Sequence, residues 1–379
     1  MFTQTDYIFI GIAAVPLLIV LFYYLIIFLR LALYKPQEET PNLQKQQGVS
    51  IIVAAQNEEE QLPRLIEALK KQNYPLFEII LIDDRSHDNT RIIIFNEQKA
   101  DSRVRMVRID EKPDEFSSKK YAITLGVKAA KYEWLLFTDA DCQPNSEDWL
   151  AQMAEHFVEK NTFVIGVSLY EQEDTFLNDC IQFETFMTAM QYLSWALWGS
   201  PYMAVGRNLA YRKSVFMDNN GFYKHIQVIG GDDDLLVNRL AVGEKTAICL
   251  QPSAQTTSIP KTTWAAWYQQ KKRHLSVSKY YKWEDKFRLG LFNASLLLTW
   301  WTTWVLLGYG IYQQNEWLCG IAGGLLLLRW IVVISVSSGV QSQLQSRVKL
   351  WGYPLWEVLY LLYIFFIGWK GIRAKYMQW

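Results

Sequence analysis

Residues 7–29 form a run of 23 uncharged, strongly apolar side chains (YIFIGIAAVPLLIVLFYYLIIFL), more than the roughly 20 that carry a helix across about 30 Å of hydrocarbon. Such a segment satisfies its backbone within itself and reads as a membrane-spanning helix. A cleaved leader starts with basic residues, has a shorter apolar stretch and ends on small residues, whereas here Asp6 precedes the run and Arg30 and Lys35 follow it. The basic flank lies downstream, so the positive-inside rule puts the N-terminus outside and the chain after about residue 30 in the cytoplasm.

Two more spans are expected near the other end. Residues 289–315 carry no charge and 317–336 carry only Arg329. Lys282, Lys286 and Arg288 precede the pair and Arg347 and Lys349 follow it, which makes it an outward-facing hairpin. Residues 350–369 are one span long but contain Pro354 and Glu357, and Lys370, Arg373 and Lys375 follow. Length favours a further span; the basic tail favours a re-entrant or interfacial segment. The expected layout is an N-terminal anchor over 1–34, a cytoplasmic catalytic domain over 35–260, an interfacial helical segment over 261–288 and a membrane region of two to three spans over 289–379.

The charge balance limits the partners. Lys plus Arg and Asp plus Glu number 38 each, and half of all residues are hydrophobic, which excludes a disordered chain and argues against a nucleic-acid partner. Cys142, Cys180, Cys249 and Cys319 are scattered without paired spacing and read as thiols of a reducing compartment, not as a zinc site or disulfide framework.

Between the membrane segments the pattern becomes that of a parallel α/β sheet: apolar strand runs at 49–55, 78–82 and 134–138 alternate with helical stretches at 59–72 and 90–100. Ligands of such sheets bind beyond the carboxyl ends of the strands. Those ends are polar and acidic: Gln56-Asn57-Glu58, Asp83-Asp84-Arg85-Ser86 and Asp139-Ala140-Asp141, with Gly230-Gly231-Asp232-Asp233-Asp234 further on. One acidic pair after a strand is an ordinary turn or helix cap, but the ordered series is a site. So many carboxylates repel one another unless a cation joins them, and hard oxygens suit Mg²⁺ or Mn²⁺, which would in turn bind a diphosphate.

The ordered segments VSIIVAAQNEE, LIDDRSHDNT, SSKKYAITLGVKAA, LLFTDADCQP, GRNLAYRKSVF, GGDDDLLVNRL and QQKKRH, over roughly residues 48–275, resemble the membrane-bound family 2 glycosyltransferases. The resemblance implies a GT-A fold: α/β, a doubly wound, mainly parallel sheet with flanking transmembrane α-helices. It also implies a nucleotide-sugar donor held by Ala55, Asn57, Glu58, Asp83 and Asp84, and by Lys119, with Lys120 as the alternative register. Asp139 and Asp141 match the DxD motif, Asp141 as the metal ligand and Asp139 on the ribose or a metal-bound water. On an extended chain residues i and i+2 face one side, so one cation can meet both. Asp233 matches the general base with Asp232 as its neighbour, the roles exchanging if the register slips by one, and clustering of like charges should raise the base's pKa. Asp234 reads as a helix start, and the two glycines as room for the sugar. Gln270 and Arg273 match QxxRW, Arg273 on the diphosphate, but His274 stands where processive enzymes carry Trp. Arg85 replaces the family's usual Gly, a substitution that should forgo positive φ there.

Aromatic residues of 176–198, and Trp264, Trp267, Tyr268, Tyr280, Tyr281 and Trp283, suit a lipid-facing acceptor site as well as an ordinary core or interface. The expected activity is an inverting, metal-dependent transfer of a sugar to a lipid or lipid-linked acceptor at the cytoplasmic face. The rivals are a processive polysaccharide synthase, a nucleotidyltransferase and a non-catalytic nucleotide-sugar-binding subunit.

Overall fold

The computed structural model describes residues 2–35 and 47–373. The sheet is built from the apolar runs. β1 (Val49–Ala55) and β2 (Phe77–Asp84) are β-branched and buried almost throughout, as strands covered on both faces must be. They pair in parallel from Val49 opposite Phe77 to Ala55 opposite Asp83. β3 (Val104–Ile109) extends the sheet beyond β2, while β4 (Trp134–Phe137) lies on the far side of β1. This reversal of winding between β1 and β4 opens a crevice at their carboxyl ends. β5 (Cys142–Pro144), β6 (Phe163–Ile165), β7 (Ser168–Tyr170), β8 (Leu209–Arg212), β9 (Thr246–Ile248) and β10 (Thr256–Ser258) complete two sheets. The main one runs β3-β2-β1-β4-β8-β6-β9, with β8 antiparallel to both neighbours, and β5-β10-β7 form the smaller one.

In chain order the helices are α1 (Gln4–Phe22), α2 (Leu29–Ala32), α3 (Leu62–Lys70), α4 (Thr90–Ala100), α5 (Ser118–Ala129), α6 (Trp149–Ala154), α7 (Phe176–Leu197), α8 (Lys213–Asp218), α9 (Asp234–Leu240), α10 (Trp264–Val277), α11 (Trp283–Tyr312), α12 (Glu316–Leu344) and α13 (Tyr353–Arg373). α3 starts later than the expected residue 59 because the Glu59 carboxylate is engaged with the amide of Asn89 at 2.9 Å and Pro63 supplies the first turn. α5 lies close on β1 and β2: a Cβ on Gly126 would stand 2.7 Å from Ile82 Cδ1 and 2.9 Å from Ile52 Cγ2.

Among the described residues four helical stretches are long and apolar enough to cross a membrane: Gln4–Ala32, Trp283–Tyr312, Glu316–Leu344 and Leu350–Gly368. The first joins α1 to α2 through a π-helical segment, Tyr23–Phe28. It packs along α11, with Phe9 stacked on Tyr309 at 4.2 Å and the Tyr23 hydroxyl donating to the Arg288 carbonyl at 2.7 Å. Arg329 of α12 and Glu357 of α13, both fully buried, form an ion pair. Trp300 Nε1 donates to Glu357 at 2.7 Å, and the guanidinium lies over the Trp300 and Trp330 rings.

α13 has two apolar faces. One meets α7 and α10: Tyr353 packs on Phe183, Tyr363 on Trp267, and Gln191 Nε2 donates to the Tyr360 hydroxyl at 3.1 Å. The other face, Leu355, Val358, Leu362, Phe365 and Phe366, is exposed. Lys370 and Arg373 fall at its end, and Lys375 lies outside the described residues. All four cysteines are free thiols, Cys142 and Cys249 buried.

Candidate active site

A cavity of about 1740 Å³ opens at the carboxyl ends of β1 and β4. Ala55 and Glu58 line it from β1 and the turn beyond, Asp84 from β2, Lys119 from the first turn of α5, Asp139 and Asp141 from the loop after β4, and Gln270 and Arg273 from α10. Asp232, Asp233 and Asp234 line it from the start of α9. Residues as far apart as 55 and 273 thus share one cavity because strand ends and helix starts meet at the same sheet edge and the middle of α10 adds Gln270 and Arg273.

Asn57 and Asp83 are not among the cavity's lining. Asn57, at φ 57°, staples two loops: its amide donates to Ser86 Oγ at 3.1 Å and its Oδ1 accepts from the His87 amide at 2.9 Å. Asp83 is buried and accepts from Arg91 Nε at 2.6 Å and the Ser86 amide at 3.1 Å. Both shape the loop that presents Asp84. Arg85 departs from expectation in the opposite sense, because it takes the left-handed conformation at φ 57° in which a Gly would be free of strain. It is held there by Nε on Asp84 at 2.8 Å and Nη2 on Ser118 Oγ at 2.8 Å.

Lys119 joins the acids. Its ammonium lies 2.8 Å from Asp139 and 3.3 Å from Asp232. Burial disfavours that charge, but Asp139, Asp232 and Asp233 outweigh it and hold the ammonium well above its ordinary range. Lys120 points elsewhere and donates to the carbonyls of His225 and Val228, each at 2.7 Å.

Asp234 is the first residue of α9, the helix start expected of it, and the departure from expectation lies at Asp233. Asp233, not Asp234, caps α9: its Oδ1 accepts from the Asp234 amide at 2.8 Å and its Oδ2 from the Gly206 amide at 2.6 Å. Burial alone would raise its pKa, yet the hydrogen bonds from Asp234 and Gly206 and the charge of Lys119 bring it down to about 2, which corrects the expected upward shift. The raised groups are its neighbours. Burial lifts Asp232, aided by Asp233 and Asp139 and opposed by Lys119. Burial and Asp233 lift Asp234, which accepts from the Tyr281 hydroxyl at 2.7 Å. Gly230 and Gly231 have φ of 81° and 72°. Both line the cavity, but a Cβ on Gly231 would stand 2.8 Å from Leu235 and 2.9 Å from Val277, so its bareness serves the packing of α9 on α10.

Glu58 faces Asp141 and Asp139 across the crevice, and burial with the charge of Asp141 raises it to about 7. Among the described residues no three His, Cys, Asp or Glu side chains converge as a ready-made metal cage. A divalent cation there would draw its remaining oxygens from a diphosphate and water, the habit of Mg²⁺. The Cys142 thiol donates to Asp141 at 3.4 Å, and the Arg207 charge acts on it through space. His274 also lines the cavity; burial and the charges of Lys271 and Arg273 hold its imidazole well below the ordinary histidine range.

Sequence reasoning left Arg207, Glu184 and Thr185 unassigned, and all three line the cavity. Arg207 lies over the Tyr170 ring at 4.3 Å. Its segment GRNLAYR had been singled out only as a motif; Glu184 and Thr185 were hidden within an aromatic-rich helix.

A doubly wound sheet with an acidic crevice at its switch point, walled by the Asp139–Asp141 loop and an acid-capped helix, is an arrangement of the GT-A fold. Residues 50–219 match the glycosyl transferase family 2 domain. It is 32% identical over 111 residues to the 4,4'-diaponeurosporenoate glycosyltransferase of Staphylococcus haemolyticus, covering 29% of this chain and 28% of that one. It is 33% identical over 114 residues to the poly-beta-1,6-N-acetyl-D-glucosamine synthase of Staphylococcus epidermidis, 30% of this chain and 25% of that one. A probable glycosyltransferase of Bacillus subtilis, YdaM, is 25% identical over 262 residues, 63% of this chain and 57% of that one. The chain thus spans about a quarter of the two staphylococcal relatives and little over half of YdaM. Among solved structures, the mannosyltransferase PcManGT from Pyrobaculum calidifontis, in complex with GDP-Man and Mn²⁺, superposes with a TM-score of 0.61 over 98% of this chain and 99% of that one, at 16% identity. That likeness is one of fold.

Proposed function

We propose that the protein is an inverting glycosyltransferase that moves a sugar from a nucleotide sugar to a lipid or lipid-linked acceptor at the cytoplasmic membrane face. The observation that carries this is the convergence of Asp84, Asp139, Asp141, Asp232, Asp233 and Arg273 on one cavity that also reaches α11 and α13. The donor lies with its nucleoside near Ala55 and Asp84 and its diphosphate between Asp141 and Arg273. The carboxylates at Asp141, Asp139 and Glu58 fit Mg²⁺ or Mn²⁺, the metal that accompanies GDP-Man in PcManGT being Mn²⁺. Bound there, the cation offsets the negative charge that grows on the departing nucleoside diphosphate.

Asp233 takes the acceptor proton. Two backbone amides fix its carboxylate, and a pKa of about 2 keeps it ionised. A weak base suffices because the hydroxyl acidifies only as its oxygen bonds to the anomeric carbon. That bond forms as the bond from the anomeric carbon to the phosphate oxygen breaks, its electron pair leaves with the diphosphate, and attack from the opposite side inverts the centre. Asp232 and Asp139 hold Lys119 beside the reacting groups.

His274 in place of Trp supports transfer of single sugars over processive synthesis, the activity named for the Staphylococcus epidermidis relative. The test is release of nucleoside diphosphate from a panel of nucleotide sugars by detergent-purified protein with Mg²⁺ or Mn²⁺, then with chelator. Turnover of one donor that chelator abolishes is the expected result, with a product one sugar longer. A ladder of products would point to a synthase, pyrophosphate to a nucleotidyltransferase, and donor binding without turnover in the presence of membrane lipids to a non-catalytic subunit.

A further inference from the structure

α9 carries Asp233 as its cap but is only 7 residues long, and a helix shorter than about 12 residues does not hold itself in water. Its place is therefore set by what grips it. On the sheet side the Gly206 amide donates to Asp233 at 2.6 Å. At the far end Arg239 donates to the carbonyls of Asn219 and Gly221. A third grip comes from the entry to α11, a helix long and apolar enough to cross a membrane.

Three hydrogen bonds make that grip. The Tyr281 hydroxyl donates to Asp234 Oδ2 at 2.7 Å. Asn238 Nδ2 donates to Asp285 Oδ2 at 2.9 Å, and Asn238 Oδ1 accepts from the Lys282 amide at 3.0 Å. Asn238 and Asp285 are 3% and 4% exposed, and a carboxylate so buried needs partners to offset its lost hydration. Its other oxygen accepts from Arg288 Nη2 at 2.7 Å. Arg288 carries the contact further: its guanidinium lies 4.6 Å from the centre of the Trp195 ring of α7, and its carbonyl accepts from the Tyr23 hydroxyl at 2.7 Å. The helix behind Asp233 is thus fastened to two of the long apolar helices, whereas Asp84 ends β2, and Asp139 and Asp141 follow β4.

We propose that Asn238, Tyr281 and Asp285 are positioning residues for the transfer: the entry to α11 sets where α9, and with it Asp233, stands against the acceptor hydroxyl. This rests on reading Asp233 as the base and adds what aims it. The nucleotide sugar is held by strand ends and α10, so loosening α9 spoils the aim of the base and leaves donor binding intact. A reacting group misplaced by 1 Å costs about 100-fold in rate.

Full-length protein in nanodiscs, made with lipid extracted from the membrane that carries it, is given UDP-glucose, UDP-N-acetylglucosamine and GDP-mannose in turn. Turnover gives kcat and the donor KM, calorimetric titration the donor Kd, and thermal melts the stability. Asn238→Leu and Asp285→Leu should each lower kcat roughly 10–100-fold and leave donor KM and Kd within about twofold. The double variant should fall no further than either single one, since both remove the same link. Asp285→Asn, which still offers Asn238 an oxygen, should recover most of kcat. Tyr281→Phe removes one hydroxyl from an intact ring and should give a smaller loss of the same kind; if the leucine variants do not fold, it decides alone. A lower melting temperature with normal kcat, or a donor KM that rises in step with the loss of kcat, makes the contacts merely structural and overturns the proposal. Asp233→Asn is run alongside: normal transfer by that variant fails the base assignment, and wild-type protein that turns over no donor fails the transferase reading itself.

Discussion

Around Lys119 one ammonium serves two carboxylates, at 2.8 and 3.3 Å, while Asp233 is fixed by backbone amides from both sides. Replacing Asp233 with Asn keeps the shape but removes the proton acceptor. Asp233→Asn is expected to lower transfer by at least about 100-fold with donor binding retained, measured by turnover alongside calorimetric titration of the donor; transfer near the normal rate would move the base to Asp232. Glu58 supplies a pH dependence. Its pKa in the folded protein is raised to about 7, above that of the unfolded chain, so the folded state binds the extra proton. The stability this confers is complete below the ordinary carboxylate range and lost as pH rises through about 7. Melting of the metal-free protein should therefore fall across that window, and Glu58→Gln should flatten the fall; an unchanged profile would place the titration on another group.

At the level of helices and strands, the Arg329–Glu357 pair ties α12 to α13 in a place with no exposure. Arg329→Leu leaves Glu357 buried without its partner and should cost about 3–5 kcal/mol, whereas adding Glu357→Leu should recover most of the loss; thermal melts of the two variants in detergent decide it. Of the parallel strands, β1, β2 and β4 were legible as apolar runs that stop at polar or acidic residues, whereas β3, VRMVRI, breaks its apolar run with two arginines and was not. Short antiparallel β8 was not, since the four residues of LAYR carry no period of their own and pair only because β4 and β6 lie on either side. The site was legible to the same depth. The acids at strand ends point to a cavity, but nothing local separates Asp84, which lines it, from Asp83, which turns to Arg91. Arg85 shows a similar limit: its strained backbone is fixed by contacts to Asp84 and Ser118, the second of them 33 residues away. Glu184 and Thr185 lie within a long helix whose aromatic composition says core, and only the approach of α10 and α13 gives them a cavity.

At the scale of the whole molecule α13 lies against α7 of the sheet unit and α10 of the segment that follows it. We propose that this helix, with its inner face packed there and Leu355, Val358, Leu362, Phe365 and Phe366 on its outer face, lies at the membrane surface. The basic residues after it then stay on the same side as Arg30 and Lys282. A reporter fused to the C-terminus should be active in the cytoplasm, together with protease protection of the loop around Asn315; an external reporter would mean that α13 crosses.

The contact of α1 with α11, made through Phe9 with Tyr309 and Tyr23 with Arg288, also sets an order of events at the ribosome. α11 follows the first helix by some 250 residues, so Phe28 and Tyr24 are made long before the Phe292 ring they lie against, and the sheet between them can fold as a unit in that interval. Tyr23 meets Trp195 of α7 as well as Phe292, so a chain that stops short of residue 283 still has one of the two surfaces that hold its first helix.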